Sequence, residues 1–305
     1  MSKKNSDGME GVLLMAYGTP NSIDNIAEYY TDIRGGVKPT NEQIQDLIKR
    51  YEEIGGASPL YKITEDQTNK LQEALSKEDY KIRVYFGMKH SKPSIKDAVV
   101  QSAKDGIKEL MCIALAPHYS IMGIGGYESR VNEASMPLSN KLNIKFVKQW
   151  HMNPNLIDLW SKNTTEASKR MDKPFVIFSA HSLPEKIEDK GPYKKQLLET
   201  AAKIAETARI ENYGLAFQSQ SSRGEKWYGP TIPELIEENR DKSNSFIIAP
   251  IGFISDNLEI LYDLDISCKK WAREKNTELR RTKMPNTSKL LIAALKDVVK
   301  ENYMQ

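Results

Sequence analysis

Thiols, long apolar runs and charge of one sign are all scarce in this chain. Only Cys112 and Cys268 occur in 305 residues. They stand far apart with no second thiol at metal-ligand spacing, which argues against a disulfide framework, a zinc knuckle or an iron–sulfur cluster. Buried, inert thiols in a reducing compartment are the expectation. The longest apolar stretches, 110–117 and 246–254, fall far short of the roughly 20 residues that span a bilayer, so no transmembrane segment is predicted. Lys+Arg 44 against Asp+Glu 41 leaves a formal charge of +3, scattered without a run of like charges, and nucleic acid is not an expected partner. The opening MSKKNSDGMEGVLLMAYG carries no small-residue cleavage site. These absences predict a cytoplasmic protein.

What is present is a pattern used twice. Leu14-Met15-Ala16-Tyr17-Gly18-Thr19-Pro20 and Phe178-Ser179-Ala180-His181-Ser182-Leu183-Pro184 each read as an apolar strand ending in Ala, a potential metal ligand and a Pro-stopped turn. A buried parallel strand delivers its next residue to the carboxyl edge of the sheet, where open α/β sheets bind ligands. Tyr17 and His181 are therefore expected to face one shared cleft. A second echo matches Ala116-Pro117 with Ala249-Pro250 as the tips of two further strands.

Strand patterns at 11–16, 82–88, 110–116, 143–149, 174–180, 213–218 and 245–251 alternate with helical ones at 22–33, 40–54, 64–76, 94–106, 154–170, 193–209 and 231–240. That alternation predicts an α/β fold of two similar lobes with parallel sheets and a cleft between them. The lobes are expected at 1–152 and 153–285, with an amphipathic C-terminal helix inside 286–305 packing on the first.

Small neighbours around His181 let a planar ligand approach, and imidazole both ligates first-row divalent metals and takes a proton near neutral pH. A histidine satisfied by backbone is the alternative. Asp256, Glu259 and Asp263 lie three and four residues apart, which predicts one helical face carrying three carboxylates. Such a ladder suits a hydrated cation, or else is a solvated face with Asp256 as the cap. Arg34, Arg50 and Tyr51 stand at helix ends near the turn Gly55-Gly56-Ala57-Ser58-Pro59, where they either bind a ligand's carboxylates or complement helix dipoles. Met122–Tyr127 lacks the GxGxxG spacing of a dinucleotide loop. His90, His118 and His151 receive no role on this reading.

In combination, MAYGTP, IGGASPLYKIT, GMKHSKPSIKDAV, LAPHYS, SAHSLPEKI, the WYGP turn and DNLEILYD resemble the ferrochelatases, from about residue 11 to Pro285. The resemblance implies an enzyme that inserts ferrous iron into a porphyrin between two Rossmann-like lobes. It implies that His181 and Glu259 handle the metal and the pyrrole protons, with Tyr17 facing them from the opposite lobe as an axial ligand to product iron; the Asp263 and Glu259 carboxylates are then expected to hold hydrated iron. Arg34, Arg50, Tyr51, Ser58 and Tyr127 match positions that contact the tetrapyrrole or its propionates. Tyr in MAYGTP is similar to the coproporphyrin III branch of Gram-positive bacteria, whose product is coproheme. Iron is then a substrate, no cofactor is permanently bound, and a monomer in transient contact with other haem-pathway enzymes is expected. Asn257, Ser267 and the segment Gln218–Lys226 depart from the family pattern. Protoporphyrin IX as substrate, a cobalt chelatase, and a haem-binding or transfer protein without turnover are the alternatives.

Overall fold

The computed structural model describes residues 9–78, 80–138, 141–169, 171–220 and 225–303. Residues 1–8 of the N-terminal stretch, and Ser221–Gly224 of the segment that departs from the family pattern, lie outside them. In chain order the first half comprises β1 (Met9–Ala16), α1 (Ile26–Ile33), α2 (Asn41–Glu53), α3 (Leu60–Ser76), β2 (Ile82–Met88), α4 (Ile95–Lys104), β3 (Ile107–Ala114), α5 (Ile124–Ser135) and β4 (Asn143–Val147). There follow α6 (Pro154–Ser168), β5 (Phe175–His181), α7 (Glu185–Glu188), α8 (Tyr193–Ala208), β6 (Tyr213–Gln218), α9 (Ile232–Glu238) and β7 (Ser245–Ala249). A π-helical segment (Ile260–Cys268), α10 (Lys269–Glu274), β8 (Glu278–Arg281) and α11 (Lys289–Tyr303) complete the chain.

Both sheets are parallel and four-stranded, ordered β2-β1-β3-β4 and β6-β5-β7-β8, so the two lobes repeat one topology. In each, the ligand-bearing strand is an inner one, buried along most of its length. β1 shows why a continuous apolar run is needed there: Val12 and Leu14 point into one core with Leu71, Leu75 and Trp160, whereas Leu13 and Met15 point into another with Ile95, Val99 and Val131. The first core is continuous with the second lobe, taking in Trp160, Phe178 and Ile247 together with Leu295 of α11. α11 packs against both α3 and α6, and the Tyr303 hydroxyl donates to the Gly11 carbonyl at 2.5 Å.

Local signals set the helix starts. Thr40, Ser94 and Thr231 each close a reciprocal capping box, and Asn153 accepts from the Asn155 and Leu156 amides to start α6. Three features were not expected. The strand β8 is a polar edge, Glu-Leu-Arg-Arg, without apolar alternation. α5 forms despite Gly125 and Gly126, its Ile124, Tyr127 and Val131 buried on one side. The Ala-Pro echo is also out of phase, since Pro250 directly follows β7 whereas Pro117 lies three residues beyond β3. Among the described residues no helix is long and apolar enough to cross a membrane.

Candidate active site

His181 is the last residue of β5. Its Nδ1 lies 2.5 Å from the Ser182 carbonyl oxygen, which fixes the proton on Nδ1, and its own carbonyl accepts from the buried Tyr193 hydroxyl at 3.1 Å. Nε2 is left to face Glu259 Oε1 at 3.3 Å. Glu259 reaches it because the chain after β7 folds back over the β5 tip at Gly252. A Cβ on Gly252 would stand 2.6 Å from the Ala180 Cβ, so glycine is required for that crossing. Burial opposes an imidazolium at His181, but Glu259, the Ser182 carbonyl and Asp263 outweigh it and raise its pKa to about 9.

The carboxylate ladder forms only in part. Asp256 is not on the helix: it pairs with Arg281 at 3.3 Å and accepts from the Asn286 side chain at 2.7 Å. Asn257 takes the capping role instead, its Oδ1 accepting from the Ile260 amide at 2.9 Å. Beyond Glu259 the chain continues as a π-helical segment that carries Asp263, whose charge acts on His181. Burial pushes the Asp263 carboxyl up, partly offset by a 2.5 Å hydrogen bond from the Ser219 hydroxyl.

From the other lobe, Tyr17 follows the tip of β1, with the chain turning at Gly18 in the left-handed region (φ +104°). Its ring packs on His90 at 4.6 Å between centroids. Burial and the nearby Glu259 and Asp32 charges raise the phenol far above its ordinary value. Tyr29 donates to the Gly18 carbonyl at 3.1 Å, and Tyr51 meets Thr19 Oγ1 at 3.2 Å, so α1 and α2 hold this turn. Burial pushes the Tyr51 phenol up to about 12.

A cavity of about 680 Å³ opens between these two tips. Of the residues singled out in the sequence, Tyr17, Tyr51, Ser58, Tyr127, His181 and Glu259 line it. Arg34, Arg50 and Asp263 do not. Arg34 donates to the Gln43 side chain at 3.0 Å, and Arg50 lies over the Tyr262 ring at 5.2 Å. Asp263 lines a second cavity of about 360 Å³ with Ser219, Ser267 and Cys268. Among the described residues no three imidazole, thiol or carboxyl groups converge on one metal position. Tyr17, His181, Glu259 and Asp263 are instead distributed as a close pair, a carboxyl one turn further on and a phenol from the facing lobe. Cys112 and Cys268 are buried and free, and burial pushes the Cys268 thiol up to about 12.

Sequence reasoning gave His90 no role, yet it lines the cavity together with Lys89, Asp32 and Arg130. Its Nδ1 lies 2.6 Å from Asp32 Oδ2, and Arg130 donates to the same oxygen at 3.1 Å. Burial opposes the Asp32 charge, but the hydrogen bonds from His90 and Arg130 hold its carboxyl below the usual range. Lys89 lies over the Tyr127 ring at 5.2 Å, where burial lowers its ammonium pKa. The signal that would have found Lys89 and His90 is the one that found Tyr17, since they directly follow the tip of β2, whereas Asp32 and Arg130 lie on α1 and α5.

Two parallel-sheet lobes that face each other across an imidazole–carboxylate pair define a chelatase architecture. The structure of SirB from Bacillus subtilis with Fe3+ has the same fold, at a TM-score of 0.61 over 97% of this chain and 96% of that one, with 10% identity. The chain itself belongs to the ferrochelatase family, whose sequence model, Ferrochelatase, matches residues 9–303. Its relatives include the coproporphyrin III ferrochelatase of Geobacillus kaustophilus, 42% identical over 97% of this chain and 96% of that protein. The coproporphyrin III ferrochelatase of Listeria monocytogenes serotype 4b is likewise 42% identical, over 96% and 98%.

Proposed function

We propose that this enzyme inserts Fe(II) into coproporphyrin III to give coproheme, with His181 and Glu259 on one face of the macrocycle and Tyr17 on the other. The observation that carries the reading is the 3.3 Å His181–Glu259 pair, set in a cavity that a phenol enters from the equivalent strand tip of the facing lobe.

Insertion breaks two pyrrole N–H bonds, forms Fe–N bonds from the electron pairs left behind, and leaves iron ferrous. An arriving dication drives the proton shared by His181 and Glu259 out to water, which frees the imidazole nitrogen and the carboxylate to take the two pyrrole protons as iron sheds its water. Asp263, on the next turn, supplies a carboxylate on the approach. Tyr17, which holds its phenolic proton in the absence of metal, would hold product iron from the facing lobe, its proton passing to water.

Four propionates suit a site whose wall carries Lys89 and Arg130, with Arg34 at the end of α1 and Arg50 on α2, the helices that supply Tyr29 and Tyr51. On this reading iron is substrate, no cofactor is permanently held, the reaction is cytoplasmic, and the chain acts as a monomer in transient contact with other haem-pathway enzymes. Anaerobic Fe(II) insertion, followed by visible absorbance with coproporphyrin III and protoporphyrin IX in parallel, tests it. Faster conversion of coproporphyrin is expected; porphyrin binding without conversion of either would leave a binding protein instead.

A further inference from the structure

Glu259 stands where a loop becomes a helix, so its carboxylate keeps its place beside His181 only if the loop before it is held. Of residues 252–259 all but Asp256 line the cavity, which leaves that stretch to be gripped from behind. Asn286, 30 residues beyond Asp256, supplies the grip. Its backbone amide donates to the Ile254 carbonyl at 2.8 Å, its Oδ1 accepts from the Asp256 amide at 2.8 Å, and its Nδ2 donates to Asp256 Oδ2 at 2.7 Å. These bonds bracket Ser255. Asn286 adopts the left-handed region (φ +44°), which asparagine tolerates better than most side chains, and an amide offers the acceptor and the donor that the clamp uses together. The clamp passes straight into the helix, because the next residue, Asn257, accepts from the Ile260 amide at 2.9 Å. Behind the clamp stands the facing lobe. Gln67 on α3 is fully buried, and its Nε2 donates to the Asn286 carbonyl at 2.7 Å and to the Ser255 hydroxyl at 3.0 Å. Its Oε1 is buried with no partner among the described residues. An unpaired buried oxygen costs about as much as a hydrogen bond returns, so this amide is a poor stabiliser whose value lies in where its donor end puts the loop.

We infer that Asn286 and Gln67 are positioning residues for metal insertion, acting through the backbone of residues 254–257 to set Glu259 at its distance from His181. The inference rests on the porphyrin-metallating reading given above. Neither residue lines the cavity, so neither touches porphyrin or iron. A carboxylate that works by proximity loses rate steeply when it is displaced by even an ångström, which is why a clamp outside the site governs the chemistry inside it. Because Gln67 belongs to the lobe that carries Tyr17, the clamp also makes the placement of Glu259 depend on how the two lobes meet.

The test uses the full-length enzyme with coproporphyrin III and Fe(II) under anaerobic stopped flow. Asn286→Gly keeps the left-handed turn, the amide for Ile254 and the carbonyl for Gln67, and removes only the two side-chain bonds to Asp256. The expected result is about a tenfold fall in kcat with KM for the porphyrin unchanged. Gln67→Met, which keeps the volume and removes the donor, should lower kcat about threefold, again without a change in KM. Combined with Glu259→Gln, neither variant should slow the enzyme further, because the carboxylate they misplace is already gone. Independently of turnover, hydrogen exchange at the Ile260 and Leu261 amides should quicken about tenfold in Asn286→Gly while α3 stays protected. Full kcat in Asn286→Gly, a loss carried by KM, multiplicative losses with Glu259→Gln, or unchanged exchange would each overturn the inference. Failure of the unaltered enzyme to metallate any porphyrin would instead overturn the functional reading on which it stands.

Discussion

The tips of β1 and β5 occupy the same place in two copies of one topology, yet they hold protons for opposite reasons. At the β5 tip, burial argues for a neutral imidazole and loses to Glu259 and Asp263, leaving His181 charged up to about pH 9. At the β1 tip, burial and the same Glu259 act together, and Tyr17 keeps its proton. A shared backbone therefore fixes where a ligand points, and the neighbouring carboxylates fix what it carries. The nearby carboxylates differ in origin too: Glu259 immediately precedes the π-helical segment of its own lobe, whereas Asp32, bonded to the His90 ring beside Tyr17, comes from α1.

The strongest way to break this asymmetry is at His181. Replacing it with Ala is expected to lower iron insertion by about three orders of magnitude while porphyrin affinity, read by fluorescence quenching, stays within a few fold. Equal loss of both would make His181 a structural histidine. Glu259→Gln comes next, with about a hundredfold loss and an NMR titration in which the His181 pKa drops from about 9 toward 6.5. The sign follows from linkage: a raised imidazole pKa stabilises the fold fully below pH 6.5 and loses that contribution as pH rises through 9. Denaturant midpoints should therefore fall between those values in the unaltered enzyme and stay flatter in Glu259→Gln.

On the other lobe, Tyr17→Phe should slow insertion only by a few fold. The visible spectrum of oxidised coproheme product should nevertheless change, because the phenolate is lost as an axial ligand. Unchanged product spectra would remove Tyr17 from the iron. The smallest effect is expected far from both tips, where Tyr303→Phe removes the hydrogen bond to Gly11 and should cost about 1 kcal/mol in urea unfolding with kcat intact.

What the sequence disclosed was whatever is written in short segments. The apolar strands, the capping residues and the residue after each tip are local, and they placed Tyr17, His181 and both sheets. The losses are non-local. Asp256 leaves the predicted ladder because Arg281 and Asn286, 25 and 30 residues on, compete for it. The strand β8 is an edge, so it needs no apolar alternation to announce itself. His90 stood in plain view after β2, but its place in the cavity beside Asp32 and Tyr17 is a non-local arrangement that no spacing along the chain reveals.

The path of α11 has a consequence for any attempt to divide this protein. It begins after the second sheet is complete, lies across α6, and ends against α3 and the first strand of the first sheet. Cutting the chain between the lobes would give a leading fragment without the cover for Leu71 and Leu75, and a trailing one whose last helix had lost half its seat. The fold repeats itself as a pattern, but it comes apart only as a whole.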